Sequence, residues 1–107
     1  MIQVINKHKV DLSKLKSPVV NVMRGSPLGN PFNITKTQSR ELSIQNYRKW
    51  LWNRINSRDK AVITELAKIK QLAQQGSVFL LCCCAPKKCH ANVIKSCVLW
   101  ALSLERK

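Results

Sequence analysis

Four side chains that could bind a metal or react with a substrate lie close together near the end of the chain: Cys82, Cys84, Cys89 and His90. They surround a turn between an apolar run, 78–83, and a segment with helical spacing of apolar residues. The run has the length of a buried strand and is too short for a helix. The sequence therefore predicts a strand, a tight turn and a helix, with all four side chains near the turn.

Zinc is the first chemistry that this turn could support, because Zn²⁺ binds thiolate and imidazole groups. The four candidate ligands fall within nine residues, whereas familiar structural sites combine two distant pairs. Cys82 and Cys84 would share a strand face if the strand reaches that far, and Cys83 would then point into the core. Zinc is thus a candidate cofactor, and we predict packing roles for Cys83 and Cys97.

A reactive thiol is the second candidate chemistry. Cys89 or His90 is predicted to begin the last helix, next to Lys87 and Lys88. The helix dipole and neighbouring ammonium groups both favour a thiolate at neutral pH. Cys89 with His90 could then serve as a nucleophile or redox group. However, adjacent residues rarely form a working Cys–His pair, and no acid that would orient His90 is evident.

A loop of fixed shape, 24–32, carries two glycines, two prolines and an asparagine. Gly25 and Gly29 allow positive φ or a close approach of a ligand, and Asn30 before proline favours an extended backbone. The loop could be a structural turn, or it could offer Arg24 and backbone N–H groups to an anion. Its glycine spacing matches neither the dinucleotide fingerprint nor the P-loop.

The order of the predicted elements brings this loop and the cysteine turn to one edge of a sheet. A strand at 19–22, two helices and the strand at 78–83 imply a parallel pair with a right-handed crossover. Both loops then leave the carboxyl ends of their strands, where open α/β sheets bind ligands. The residues predicted to hold phosphate at that edge are Arg24, Arg40, Lys87, Lys88 and His90, the last three at the N-terminus of the final helix.

Two helices are predicted between these strands. The first begins near Ser39, with Thr37 or Ser39 as its cap, and buries a stripe of Ile44, Tyr47, Leu51 and Ile55. Trp52 points away from that stripe among cationic residues, where it could stack on a base or pack on another element or a partner. The segment 58–60 either breaks the helix or is passed through, and Gly76 ends the second helix.

The two ends of the chain complete the prediction of elements. Residues 2–6 could form a first strand, and 7–16 reads as a loop or as the second strand of a hairpin. In the last helix, the apolar stripe comprises Ile94, Cys97, Ala101 and Leu104.

Charge is the strongest bulk property. Nineteen Lys and Arg against five acids give a formal charge of +14. A field of this sign attracts phosphate polyanions, with nucleic acid as the first-choice partner, although it could serve solubility alone. No apolar run approaches the ~20 residues of a membrane span, and the N-terminus lacks a signal-peptide pattern. We therefore expect a cytoplasmic protein that does not act at a membrane and that has no disulfide framework.

Several groups of residues, in this order, resemble a small uncharacterised domain family of bacteria, cyanobacteria and their phages. They are Val22-Met23-Arg24-Gly25, Leu28-Gly29-Asn30-Pro31-Phe32, Ser39-Arg40-Glu41, Tyr47 with Trp50-Leu51, and Cys82-x-Cys84-x-Pro86-x-x-Cys89-His90. The resemblance covers roughly residues 19–99 and implies no particular activity. It implies that one site contains Arg24, Gly25, Asn30, Pro31, Arg40, Glu41, Cys84, Pro86, Cys89 and His90. The layout also looks like Rossmann-type nucleotide-sensing domains, and Cys83 departs from the family pattern.

The sequence thus predicts one α/β domain over residues 1–107, with 1–17 as an N-terminal strand or loop and 18–104 as the core. The fold would be a small two- or three-layer Rossmann-like domain with a short, mostly parallel sheet and about three helices. The predicted function is binding of a nucleic acid or nucleotide at the strand-end edge, with Gly25 and Asn30 shaping the loop and Glu41 among the ligand-binding residues. One alternative is an enzyme that uses Cys89 or His90 on a nucleotide-like substrate. Another is a phage-encoded protein that docks on an acidic host protein.

Overall fold

The computed structural model of the chain describes residues 1–32, 39–83, 87 and 89–105. The strands are β1 (Ile2–Asn6), β2 (Val19–Asn21) and β3 (Val78–Cys82). The helices are α1 (Arg40–Asn56), α2 (Lys60–Gln75) and α3 (His90–Glu105). A short 3-10 helix, Leu12–Lys14, lies between β1 and β2. The predicted small α/β fold with three helices is confirmed.

The described sheet has three parallel strands in the order β1-β3-β2. Ile2 pairs with Val78 across β1 and β3, and Val20 pairs with Leu80 across β2 and β3. The predicted first strand and the predicted parallel pair are therefore both correct. The hairpin alternative for 7–16 is wrong, since this segment contains turns and the 3-10 helix and no strand. This segment instead turns at Asp11, whose carboxylate accepts a hydrogen bond from the Ser13 N–H at 3.0 Å.

Polar side chains set the starts of α1 and α2. Ser39 caps α1, as predicted, and its Oγ accepts a hydrogen bond from the Leu42 N–H at 3.2 Å. Asp59 caps α2 in the same way. The helical conformation is interrupted between α1 and α2 because Arg58 adopts a left-handed backbone with φ of 59°. Gly76 ends α2, as predicted.

The core lies between one face of the sheet and the helices: α2 and α3 contact the strands, and α1 packs mainly on α3 and α2. Strand side chains alternate between faces, so Val78, Leu80 and Cys82 of β3 share the face that meets the helices. On the opposite face Ile5 and Leu81, which pair in register, are also buried. The buried members of the main core are Ile2, Val20, Val22, Leu28, Tyr47, Leu51, Val62, Ile69, Val78, Leu80, Cys82, Cys89, Ala91, Val93, Ile94 and Val98.

The helical stripes differ in how well the sequence predicted them. The α1 stripe is confirmed, with Tyr47 and Leu51 buried and its flanking residues half-buried. The α3 stripe is partly wrong: Ile94 is buried, but Leu104 is 48% exposed, and Val98 takes the next buried position. Apolar residues surround much of α3, so spacing alone does not select its buried face. Within the described residues, no helix is both long and apolar enough to span a bilayer.

Candidate functional site

A cleft of about 400 Å³ opens at the carboxyl edge of the sheet. All three strands contribute to it through the residues that follow them, and α1 and α3 contribute their first turns. Its described lining residues are Lys7, Met23, Arg24, Asn30, Phe32, Arg40, Ser43, Ile44, Cys83, Cys89 and His90. The glycine-containing loop and the described ends of the cysteine turn, Cys83, Cys89 and His90, therefore meet at one edge of the sheet.

Hydrogen bonds from α1 hold the glycine-containing loop in place. The buried Tyr47 hydroxyl donates to the Leu28 carbonyl at 2.6 Å. The Asn30 amide donates to Ser43 Oγ at 3.0 Å, and Ser43 Oγ donates to the Phe32 carbonyl at 2.7 Å. Because the side chains of one helix satisfy three points of the loop, the cleft wall has a defined shape before any ligand binds.

The two loop glycines have different structural reasons. Gly25 has φ of 97°, a conformation that favours glycine. A Cβ added at Gly29 would lie 2.7 Å from the Met23 carbonyl oxygen and 2.8 Å from Arg24 Cα. Gly29 thus lets the loop fold back on its own backbone beside Arg24.

Positive charge distinguishes the described lining of the cleft. Lys7 follows β1, Arg24 follows β2, and Arg40 is the first residue of α1. None of the described lining residues is acidic. The Arg24 guanidinium donates a long hydrogen bond, 3.4 Å, to the Asn30 carbonyl, which directs the arginine along its own loop.

His90 is fixed at the N-terminus of α3 by contacts on two sides. Its Nε2 donates to the Val22 carbonyl, because the carbonyl can only accept, so in the neutral ring the lone pair lies on Nδ1. Its ring meets that of Tyr47 edge-on at 5.1 Å. Burial lowers the pKa of His90 below its ordinary value of 6.5, and the nearby Arg24 lowers it further, against the Val22 hydrogen bond. His90 is therefore a neutral acceptor at pH 7.

Cys89 stands at the cap of α3, as predicted. Its N–H donates to the Asn92 side-chain oxygen at 3.0 Å, and the Asn92 N–H donates back to the Cys89 carbonyl at 3.0 Å. The first bond is the half of a capping box that the residue at N3 supplies, and the second is a backbone bond of the first helical turn. Cys89 lines the cleft but is only 4% exposed.

The predicted burial of Cys83 is wrong. Strand β3 ends at Cys82, whose side chain is 1% exposed and packs in the core, while Cys83 is exposed and lines the cleft. Strand β3 does not include Cys83, and its core face carries the even-numbered residues Val78, Leu80 and Cys82. Cys97 is half-buried against the core, as predicted, and burial raises the pKa of its thiol.

The predicted zinc ligands have separate environments where the structure describes them. Cys82 and Cys89 both belong to the buried core, but only Cys89 and His90 also line the cleft. Across residues 1–32, 39–83, 87 and 89–105, no three Cys, His, Asp or Glu side chains group as metal ligands. The four-ligand site includes Cys84, which lies outside the described residues, and it stays a prediction.

The remaining predicted site residues are divided. Arg24, Asn30 and Arg40 line the cleft, as expected. Gly25, Glu41 and Lys87 are exposed and are not among its lining residues, and Lys88 lies outside the described part of the chain. Glu41 instead occupies the first turn of α1, where its charge favours the positive end of the helix.

Sequence reasoning missed Lys7 and Ser43. Lys7 directly follows β1, so a parallel placement of β1 beside β3 would have brought it to the same edge. Ser43 is the buried polar residue of α1, at 2% exposure, one turn after the Ser39 cap. Its position on the helical face beside Tyr47 was the available signal.

Comparison with known proteins gives a family but no activity. The family model described as "Domain of unknown function (DUF4326)" matches residues 5–100. No curated protein and no solved structure matches the chain. The match spans the end of β1, the whole of β2, β3, α1 and α2, and most of α3, and it includes every described residue that lines the cleft. The chain therefore belongs to the DUF4326 family of domains of unknown function.

Proposed function

We propose that this domain binds a phosphate-bearing ligand, a nucleotide in the first instance, in the strand-end cleft. The observation that carries the proposal is the meeting of Lys7, Arg24 and Arg40 in a cleft whose described lining has no acidic residue. A concave surface lined by one sign of charge concentrates the opposite charge. Arginine also matches phosphate in geometry, because its guanidinium can donate two parallel hydrogen bonds.

The dimensions and the apolar side of the cleft favour a nucleotide over a double helix. Its volume of about 400 Å³ falls within the range of small-molecule sites. Met23, Phe32 and Ile44 provide apolar surface for a base or sugar, while the three cations provide the phosphate side. A single strand of nucleic acid presents the same chemistry and is the second source of such a ligand.

We revise the part that His90 plays in this proposal. The neutral ring uses its N–H on the Val22 carbonyl, so it offers an acceptor and no positive charge. The phosphate would instead contact the arginines, Lys7 and the positive ends of α1 and α3. His90 Nδ1 would accept a hydrogen bond from a base or a sugar hydroxyl.

The proposal is tested by isothermal titration calorimetry with ATP, GTP, AMP, inorganic phosphate and a short single-stranded oligonucleotide. Two variants lose the same charge: Lys7→Gln in the cleft, and Lys14→Gln on the exposed 3-10 helix. Arg24→Gln removes the guanidinium fork. We expect Arg24→Gln to weaken nucleotide binding by about ten- to a hundredfold, since a hydrogen bond to a charged group contributes about 1.5–3 kcal/mol.

The two lysine variants distinguish binding in the cleft from general attraction of the ligand by the net positive charge. Lys7→Gln should weaken binding several-fold more than Lys14→Gln does. Equal effects would mean that the net charge alone attracts the ligand, and the cleft proposal would be wrong. A preference for the oligonucleotide, with a steep dependence on salt, would identify nucleic acid as the source of the phosphate.

A catalytic use of His90 is the second candidate, and one observation favours it. The Val22 hydrogen bond fixes the tautomer, and the lowered pKa keeps Nδ1 unprotonated, as a general base requires. Cys89 is the weaker part of this alternative because it is almost fully buried. Chromatography of nucleotides after incubation would test it: a loss of turnover in His90→Gln at saturating nucleotide, beyond any loss of nucleotide affinity, supports catalysis. No turnover by the unchanged protein on this panel counts against it.

A further inference from the structure

Two tryptophans on neighbouring helices form an aromatic pair that the strand-end cleft does not include. Trp52 of α1 and Trp100 of α3 are 48% and 54% exposed. Their rings meet edge-to-face, with centroids 5.9 Å apart and planes at 79°. The prediction that Trp52 points away from the buried stripe of α1 is confirmed. Large exposed aromatic groups on adjacent elements mark interaction surfaces more often than a lone exposed side chain does.

Grooves run on both sides of this pair. One, of about 220 Å³, lies between α1 and α3, and the other, of about 240 Å³, extends across α2. Both grooves include Trp52, Ile55, Cys97 and Trp100. Ile63, which is 38% exposed, adds to the second groove. We call these five residues and the two grooves the tryptophan surface.

The charged residues among the described lining of the two grooves have one sign. Arg48 lines the first groove and Lys70 lines the second, and no acidic residue is among the described lining of either. A second copy of this chain would bring those cations against each other, on top of a formal charge of +14 per chain. Like charges across an interface oppose association. The charge pattern therefore favours an acidic occupant.

We propose that the tryptophan surface is the docking site for an acidic amphipathic helix of a partner protein. Apolar side chains of that helix would enter the two grooves, and its carboxylates would face Arg48 and Lys70. Apolar grooves that accept the anchors of an amphipathic helix are a recurring recognition mode, and tryptophan and arginine are prominent in binding hot spots. The inference is independent of nucleotide binding, since none of the residues of this surface lines the strand-end cleft.

Nucleic acid is the less suitable occupant of this surface. Phosphate contacts dominate protein–nucleic acid affinity, whereas the described lining of each groove has one cation and is largely apolar. Branched side chains line both grooves: Leu51, Val93 and Ile55 in the first, and Leu66 in the second. Such grooves suit the side chains of a helix better than the flat face of a base.

The probe is a synthetic 20-residue amphipathic peptide labelled with a fluorophore. Leu, Phe and Trp occupy the i, i+3, i+4 and i+7 positions, and Glu and Ala fill the rest. A matched peptide carries Lys in place of every Glu. Fluorescence anisotropy with the full chain should show binding of the acidic peptide and at least about tenfold weaker binding of the basic one.

Variants of the protein locate the binding. Trp100→Ala should weaken the acidic peptide at least about tenfold, as expected for a hot-spot anchor. Arg48→Glu is a second variant that leaves the tryptophans in place, and it should also weaken binding. Lys14→Glu, with the same charge change on an exposed residue elsewhere, is the control and should have a smaller effect. Circular dichroism of each variant confirms that it is folded.

Four results would overturn the proposal. They are no binding of the acidic peptide, equal binding of the two peptides, equal effects of Arg48→Glu and Lys14→Glu, and displacement of the peptide by an oligonucleotide but not by excess unlabelled peptide. Sedimentation of the unchanged protein provides a further check. Self-association that Trp100→Ala abolishes would identify a second copy as the occupant. Saturation of the cleft with nucleotide should leave peptide binding unchanged, so the two proposals can fail separately.

Discussion

Tyr47 connects the loop that shapes the cleft with the histidine that lines it. Its hydroxyl donates to the Leu28 carbonyl at 2.6 Å, and its ring stacks on Trp50 at 5.3 Å and meets His90 edge-on. Burial raises the pKa of Tyr47 above its ordinary range, so the hydroxyl remains a donor at any pH at which the protein is studied. One side chain thus fixes the loop and the imidazole together.

We expect Tyr47→Phe to lower the free energy of unfolding by about 1–3 kcal/mol. The substitution leaves the buried Leu28 carbonyl without a hydrogen-bond donor, and an unsatisfied buried polar group costs about 1–3 kcal/mol. Urea denaturation measures the change. Ser57→Ala is the control, because that hydroxyl bonds to the Arg54 carbonyl on the surface and its loss should cost less than about 0.5 kcal/mol. Similar losses in both variants would contradict the structural role given to Tyr47.

His90 should make stability depend on pH in a defined direction. Its pKa is lowered in the folded state, mainly by burial, and is about 6.5 in the unfolded chain. Between those two values the unfolded chain binds more protons, so the free energy of unfolding falls as pH falls through 6.5. Below the folded-state pKa this contribution to the slope ends. The slope from one group is at most about 1.4 kcal/mol per pH unit.

Urea denaturation at several pH values from about 7.5 to 5 measures this slope. His90→Gln keeps an N–H for the Val22 carbonyl and does not titrate, so its stability should be nearly flat over this interval. The exposed His8 provides the control: His8→Gln should keep the slope of the unchanged protein. A slope that disappears in His8→Gln and persists in His90→Gln would show that the assignment is wrong.

At the level of elements, two helix caps offer a comparison between stability and binding. Ser39 caps α1 and directly precedes Arg40, which lines the cleft. Asp59 caps α2, and neither it nor the first turn of α2 lines the cleft. Each cap accepts a hydrogen bond from a backbone N–H of its helix, and Asp59 also pairs with Arg54 at 3.5 Å. Replacement of such a residue by alanine costs about 0.5–2 kcal/mol.

We expect Ser39→Ala and Asp59→Ala to reduce the free energy of unfolding by similar amounts, about 1 kcal/mol each. Only Ser39→Ala should also weaken nucleotide binding, because fraying of the first turn of α1 displaces Arg40 and disturbs the positive end of the helix. Denaturation and calorimetry measure the two effects separately. Asp59→Asn keeps a good cap and should be nearly neutral. If Asp59→Ala weakens nucleotide binding as much as Ser39→Ala, the effect follows from global stability and not from the cleft.

The elements were predictable where one periodicity dominated and where a cap marked an end. Ser39, Gly76 and the unbroken apolar run 78–83 located α1, α2 and the central strand, and the parallel topology followed from their order. Cys83 and Leu104 were misplaced for a related reason. Both lie where an apolar run continues past the end of a strand or around a helix, so the pattern there carries no information about the buried face.

At the level of the whole molecule, the topology predicted the meeting of Arg24 and His90 across a sequence separation of more than sixty residues. It could not predict the hydrogen bond between His90 and Val22, which makes the ring an acceptor. Nor did spacing show that Trp100 would join Trp52, because that pairing depends on how α3 lies against α1. The order of the elements predicts which residues meet at an edge of the sheet. Which side chains pair between two helices depends instead on how the helices pack.

The net charge leads to a prediction about the molecule as a whole. Nineteen cations and five acids on 107 residues repel one another more strongly in the compact state than in the expanded one. Added NaCl screens this repulsion, since the Debye length falls from about 30 Å at 0.01 M to about 10 Å at 0.1 M. We expect the melting temperature to rise with NaCl over this interval and to rise less in a variant carrying Lys9→Gln, Lys14→Gln and Lys16→Gln. Calorimetric scans measure both.

Potassium phosphate at matched ionic strength should raise the melting temperature of the unchanged protein further than NaCl does, because a ligand that binds only the folded state adds its own stabilisation. That additional rise should shrink in Arg24→Gln and persist in the triple lysine variant. A melting temperature that falls with NaCl would instead mean that attractive ion pairs outweigh the repulsion.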